Sequence, residues 1–384
     1  MPSLFPLDDA TCRSLAEAHG TPCFAYSGAA AAAQFGALRE SLPPRVRLAY
    51  AVKANPHPEL LRCFAGLGAS FDCASIGELA RVAALGLPPG RTFFAGPGKR
   101  EAELCQALEL GVRVQAEGFE DLARLDALAD RETAVNLRVH PAFDIDEGNR
   151  IIGGSGPSAF GVDEEDVPAL LARAAKLRHV QIRGLHVFAA SNQRDAAKLL
   201  TIHGAVLDLA QRLHGAHGLS LEQIDLGGGL GIPYAPGQTP LDLAALGRGH
   251  GDLLARHPWF KGELILEPGR FLAGPCGTYL ARVVRIKESR GTRFAILEGG
   301  INHLIRPLLT GEAFPVKAVG KGEGMVPYTL AGPLCTSLDR LGEARLPELA
   351  AGDLLAFGST GAYGLTEGMT HFLSHPVPPE IWLD

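Results

Sequence analysis

The sequence predicts an α/β chain built as a (β/α)8 TIM barrel with a C-terminal all-β domain. Three observations lead there. Eight short apolar, β-rich runs recur through the first two thirds of the chain, at 48–54, 71–75, 92–95, 112–116, 134–139, 182–188, 223–226 and 263–267. Helix-patterned stretches separate them, among them 76–85, 101–110, 119–129, 163–177, 195–214 and 241–257. Beyond Arg270 the helical pattern stops. Runs at 278–287, 293–297 and 353–357 read as strands, the first two joined by a turn at 288–292. Strand–helix alternation implies parallel strands with right-handed crossovers, and eight such units suggest closure into a barrel rather than an open sheet. We expect the barrel over 22–270 and the β-domain over 271–384, joined by residues 1–21. The run at 21–26 is expected to pair with the β-domain, and the alanines at 29–33 to open a helix.

Composition narrows the class of protein. The chain has 384 residues, 46% hydrophobic and 20% charged, enough apolar material for a core and too few charges for disorder. Formal net charge is −6, so no basic excess is available for phosphates and nucleic acid is not an expected partner. No run of about 18 apolar residues occurs, so no membrane span is expected. The N-terminal segment lacks a positive region followed by an apolar run, which argues against a secretory signal. Seven cysteines, odd in number and widely spaced, read as reduced thiols of a cytoplasmic protein. The thirteen histidines form no zinc-like cluster, His214 and His217 read as surface, and no metal is expected.

In a barrel the working residues stand at the C-terminal ends of the strands. Lys53 closes the first run, where an ammonium is costly to bury and a desolvated amine can form a Schiff base; a snorkelling surface lysine is the alternative. The seventh run ends in Gly227, Gly228 and Gly229, whose backbone amides can approach an anion, a phosphate above all; a tight turn is the alternative. The eighth ends in Glu267, Pro268, Gly269 and Arg270, offering a carboxylate for a protonated ring nitrogen and a guanidinium for a phosphate, or simply a surface pair. A lysine for an aldehyde, glycines for a phosphate and a glutamate for a pyridinium are together the fixtures of a pyridoxal phosphate site.

At these residues the sequence resembles the fold-type III pyridoxal phosphate-dependent decarboxylases, the diaminopimelate and ornithine decarboxylase group. The resemblance rests on YAVKANP at 50–56, FDCASIGEL at 71–79, LRVHP at 137–141, GLHVFAAS at 184–191, DLGGGLG at 225–231, EPGR at 267–270, GPLCTSLD at 332–339 and GAYG at 361–364. It implies an alanine-racemase-like barrel with a β-domain, pyridoxal 5'-phosphate as cofactor, and a homodimer with shared active sites. Lys53 would be the internal aldimine lysine. Ser191, Gly227, Gly228, Gly229, Arg270 and Tyr363 would surround the phosphate, Gly269 would also bind the cofactor, and Glu267 would pair with the ring nitrogen. Cys335, reaching the partner's site, would reprotonate the α-carbon; its alternative is a buried structural thiol. Arg138 matches an arginine near the barrel mouth.

The departures bear on the substrate. Phe188 stands where the family stacks a histidine on the cofactor ring, and His186 is read as a wall residue of the substrate pocket. Thr336 follows Cys335, where diaminopimelate and ornithine enzymes place an acid for the substrate's distal ammonium. A hydroxyl cannot balance a buried ammonium. Thr310 replaces the tyrosine of the diaminopimelate RPALY stretch, while Arg306 remains. A narrower resemblance, to decarboxylases of exosortase-associated systems and those acting on carrier-protein-linked amino acids, implies a substrate without a free cationic tail, such as one conjugated or tethered to an acyl carrier protein. A diaminopimelate decarboxylase with an altered pocket and an amino-acid racemase on the same fold are the alternatives.

Overall fold

The computed structural model describes residues 4–143, 156–188 and 190–384, so Ala189 of the 184–191 motif and residues 1–3 lie outside the description. The chain divides into two compact units, one formed by Phe35–Gly231 with Leu241–Gly269, the other by Met1–Gln34, Ile232–Pro240 and Arg270–Asp384.

The first unit is a closed barrel of eight parallel strands. They are β1 (Val46–Ala51), β2 (Ser70–Cys73), β3 (Thr92–Phe94), β4 (Arg113–Ala116), β5 (Thr133–His140), β6 (Val180–His186), β7 (Gln223–Asp225) and β8 (Glu263–Leu266). Each pairs with the next, and β8 returns to β1 with Leu264 opposite Val46. All eight expected strands form, each shifted by no more than a few residues. The largest consequence falls on β1, which ends at Ala51; Val52–Ala54 is a single 3₁₀ turn, so Lys53 stands just past the strand and not on it. Pro56 favours an extended residue before it, and Asn55 is extended, with its carbonyl accepting from the Tyr50 hydroxyl at 2.9 Å.

Sequence explains the local elements. In FDCASIGEL, β2 runs into the helix Ile76–Ala83; the Ser75 hydroxyl accepts from the Glu78 N–H at 3.2 Å and Glu78 reaches back to the Ala74 N–H at 2.7 Å, a variant of the capping box. Leu79 and Val82 then face the core. The helix Pro58–Gly66 buries Leu60, Leu61 and Phe64, and the Phe64 ring lies 4.5 Å from that of Tyr50. Each such side chain contributes about 1.5–3 kcal/mol by leaving water. Inside the barrel Ala49, Phe93 and Ile265 form an apolar plug.

The second unit is an eight-stranded mixed sheet. Gly277–Ser289 and Thr292–Leu297 pair as an antiparallel hairpin turned by Arg290 and Gly291, both at positive φ. Leu354–Gly358 joins the other edge of the first strand. Cys23–Ser27 also pairs with it, Cys23 opposite Leu280, as expected for the 21–26 run. Cys12, Leu15, Ala16, Cys23 and Leu280 share a buried cluster that holds the helix Asp9–His19 in this unit. None of the seven cysteines forms a disulfide. Among the described residues no helix is long and apolar enough to cross a membrane.

Candidate active site

The C-terminal ends of the barrel strands gather the predicted residues of the first unit. Lys53 Nζ lies 3.7 Å from Asp72 Oδ2 at the end of β2 and 5.2 Å from the centre of the Phe188 ring. Asp72 is 1% exposed, and burial followed by repulsion from Glu267 raises it to about 7 despite Lys53. Burial also raises Glu78 of the following helix, which Lys53 partly offsets.

The glycines after β7 are required by close packing. A Cβ on Gly227 would lie 2.8 Å from the Val187 carbonyl oxygen, one on Gly228 2.6 Å from that of Glu267, and one on Gly229 2.6 Å from Ala190. Gly227 and Gly229 also take positive φ, which side chains resist. The loop runs beside the segment that carries Ser191, where Gln193 donates to the Gly229 carbonyl at 2.8 Å. Phe188 packs on Gly227 and Gly228. Gly269 is held as close: its Cβ would come within 2.9 Å of Ala54, in the turn that carries Lys53.

Glu267, 3% exposed, directly follows β8. His186, 2% exposed, places Nε2 3.5 Å from Glu267 Oε2, so it is buried against this carboxylate. Burial favours the neutral acid at Glu267, but His186, Lys53 and a hydrogen bond from Asp225 outweigh it and hold the carboxyl below its usual range. Burial, and then Glu267, drives Asp225 well above it. Gln115 of β4 joins the two acids, donating from Nε2 to Asp225 Oδ2 at 3.1 Å and to Glu267 Oε1 at 3.0 Å. Arg138 pairs with Glu117 at 3.0 Å.

In the second unit Arg270 donates to the Tyr234 hydroxyl at 2.8 Å, and its guanidinium lies 4.6 Å from the Tyr363 ring centre. Tyr363 has φ of +55°, a conformation seldom taken by a bulky residue and a mark of functional turns. Arg306, buried, pairs with Glu312 and stacks on Tyr234 at 4.0 Å. Cys335 is exposed, which removes the buried-thiol alternative. Its loop is tied down by Asp339, which accepts from Leu334 N–H at 2.7 Å and Ile301 N–H at 2.8 Å. The Thr336 hydroxyl accepts from Leu338 N–H at 3.2 Å.

Sequence reading missed Asp72, Gln115 and Asp225 as members of the site, although the first and last lie inside quoted motifs. It also missed Lys99, 4% exposed, whose Nζ donates to the carbonyls of Gly96 and Gln115, both at 2.7 Å.

Known proteins match along the same residues. Residues 29–274 match the family described as pyridoxal-dependent decarboxylase, pyridoxal binding domain. The chain belongs to this family. The decarboxylase is 32% identical to an L-glutamyl-[BtrI acyl-carrier protein] decarboxylase of Niallia circulans, over 98% of this chain and 91% of that one. It is 37% identical to a diaminopimelate decarboxylase of Pseudomonas aeruginosa, over 91% of this chain and 85% of that one. Its structure is similar to that of the Helicobacter pylori diaminopimelate decarboxylase complexed with L-lysine, with TM-score 0.89, 27% identity, and coverage of 97% and 94%. The protein is therefore a pyridoxal phosphate-dependent amino-acid decarboxylase with the barrel and β-domain of that group. The residues fit the cofactor: an amine beside a strand end, a buried carboxylate held ionised, an aromatic face, and a glycine loop with no room for side chains.

Proposed function

We propose that this decarboxylase removes the α-carboxylate of an amino acid that lacks a free cationic tail, conjugated through its side-chain end and carried on an acyl carrier protein. Thr336 carries the reading, because no acid follows Cys335 to balance a distal ammonium, and an unpaired buried charge costs several kcal/mol. The likeness to a carrier-protein decarboxylase over nearly the whole chain supports it. The diaminopimelate reading keeps one specific support, the higher identity to the Pseudomonas enzyme.

When bound, the cofactor supplies an electron sink for the pair left at the α-carbon as CO2 departs. Each residue then has a role. Lys53 would hold the cofactor aldehyde through Nζ, with Asp72 beside it to balance the ammonium. Glu267, held ionised beside His186, would take the ring nitrogen, and Phe188 would support the ring face. Gly227, Gly228, Gly229, Ser191 and Gly269 of the barrel would hold the phosphate, the role proposed also for Arg270 and Tyr363. Arg306, Thr336 and His186 would contact the substrate, and Cys335 of a second copy would supply a proton from Sγ for the α-carbon.

The test is CO2 release by the loaded enzyme. It would be offered free basic, acidic and neutral amino acids, and aminoacyl groups on an acyl carrier protein. Turnover confined to carrier-bound substrate is expected. Rapid turnover of free diaminopimelate, lysine or ornithine would overturn the substrate assignment.

A further inference from the structure

Three acids converge at the C-terminal ends of the barrel strands almost without solvent: Asp72, Asp225 and Glu267 are 1%, 0% and 3% exposed. The positive groups facing them are few. Arg138 of β5 is matched by Glu117. Lys53 lies beside Asp72, with Glu78 adding a further acid from the next helix. Among the described residues His186 of β6 is a further titratable neighbour, and burial favours its neutral ring. Among the described residues Asp225 and Glu267 thus have no Lys or Arg within ion-pair distance, although Lys53 acts on Glu267 from farther off, and both take hydrogen bonds from the Gln115 amide. Asp225 Oδ1 is fixed separately by the Gly227 N–H at 2.9 Å. The ligand atoms of His186, Asp225 and Glu267 come within 4.8 Å of one another. The N–H donors of Gln115 and Gly227 aim at these oxygens, an arrangement suited to a proton between carboxylates and not to a metal cation. Two buried carboxylates this close cannot both ionise without severe repulsion, so such a pair retains a proton.

We propose that Asp225 carries that proton in the folded enzyme and is a positioning residue, its acid hydrogen directed to Glu267 so that Glu267 is the one anion of the pair. The inference deepens the reading of Glu267 as the partner of the ring nitrogen and rests on it. A neutral Asp225 makes Glu267 the only member of the pair able to receive a charged N–H from the cofactor. An ionised Asp225 would compete for it and would repel its neighbour.

Infrared spectra of protein labelled with ¹³C-carboxyl aspartate test this without any variant. At about pH 9, Asp72 is ionised, and an isotope-shifted carboxylic-acid band must come from an aspartate held protonated by its surroundings. We expect that band in wild type and its loss in Asp225→Asn. We also expect Asp225→Asn, which substitutes a neutral donor, to bind the cofactor within about threefold of wild type in a spectral titration. Absence of the band, or cofactor binding weakened more than about tenfold in a folded Asp225→Asn protein, would overturn the proposal. Glu267→Gln separates the two layers. Unchanged cofactor affinity there removes the ring-nitrogen role of Glu267, whereas the aspartate band still decides the protonation of Asp225.

Discussion

Lys53 shows how one side chain acquires chemistry from its place. Its turn follows β1, its ammonium faces Asp72 at 3.7 Å and lies 5.2 Å from the centre of the Phe188 ring, and its side chain stays 39% exposed. An amine so placed can be poised between charged and nucleophilic forms by small changes around it. Replacing Lys53 by Ala is expected to abolish the absorbance of lysine-bound cofactor and to lower kcat by at least about a thousandfold, with the fold kept. Spectra of the purified protein and far-UV circular dichroism check both halves; an unchanged spectrum would refute the assignment. Thr336 makes the opposite point. It is an ordinary residue in a tight loop, informative only because a charge is missing there.

At the scale of the element, what matters is how strand ends are held in register. Lys99 ties the loop after β3 to the end of β4 by donating to Gly96 and Gln115, and it also lies 3.3 Å from Asp121. Burial lowers the pKa of this lysine while Asp121 and Glu117 act to restore its charge. Removing one partner of a buried pair strands the other, so Lys99→Met should cost about 3 kcal/mol in urea unfolding. Because the Gln115 backbone loses its anchor, cofactor affinity should fall as well. A variant as stable as wild type would show that Asp121 is satisfied by Arg124 and the Glu117 N–H without Lys99.

At the scale of the whole molecule, pH acts through buried histidines far from the strand ends. His203 and His250 face each other across the helices Ala196–His217 and Leu243–Arg256, Nδ1 to Nε2 at 3.1 Å, and His250 Nδ1 donates to the Leu246 carbonyl at 2.9 Å. Burial depresses both pKa values, and at His203 the second ring adds to it. The unfolded chain therefore binds protons that the folded one refuses below the ordinary histidine pKa of about 6.5. This contribution to stability is intact above that pH and is lost as pH falls, at up to about 1.4 kcal/mol per unit for each ring. Asp72, raised to about 7, acts in the opposite sense over the same window, so the contrast between proteins is the useful quantity. His203→Gln should show a shallower loss of stability than wild type from about pH 7 to pH 5, measured by urea titration. Parallel curves would rule this account out.

The architecture was legible in the chain because alternation of strand and helix is a local pattern, and all eight barrel strands and the hairpin after Arg270 follow from it. Lys53, the glycines at 227–229, Glu267 and Arg270 were legible for a related reason. Each sits at the end of a strand, and the residues on either side carry the turn chemistry that puts it there. The contacts that tune these groups had no local trace. Gln115 bridges Asp225 and Glu267 from 110 and 152 residues away, and His186 meets Glu267 only because β6 and β8 belong to one closed ring. Sequence alone determined which residues stand at the strand ends. Closing the barrel decided which charges share a dry space, because burial and Coulomb repulsion depend on separation in three dimensions and not along the chain.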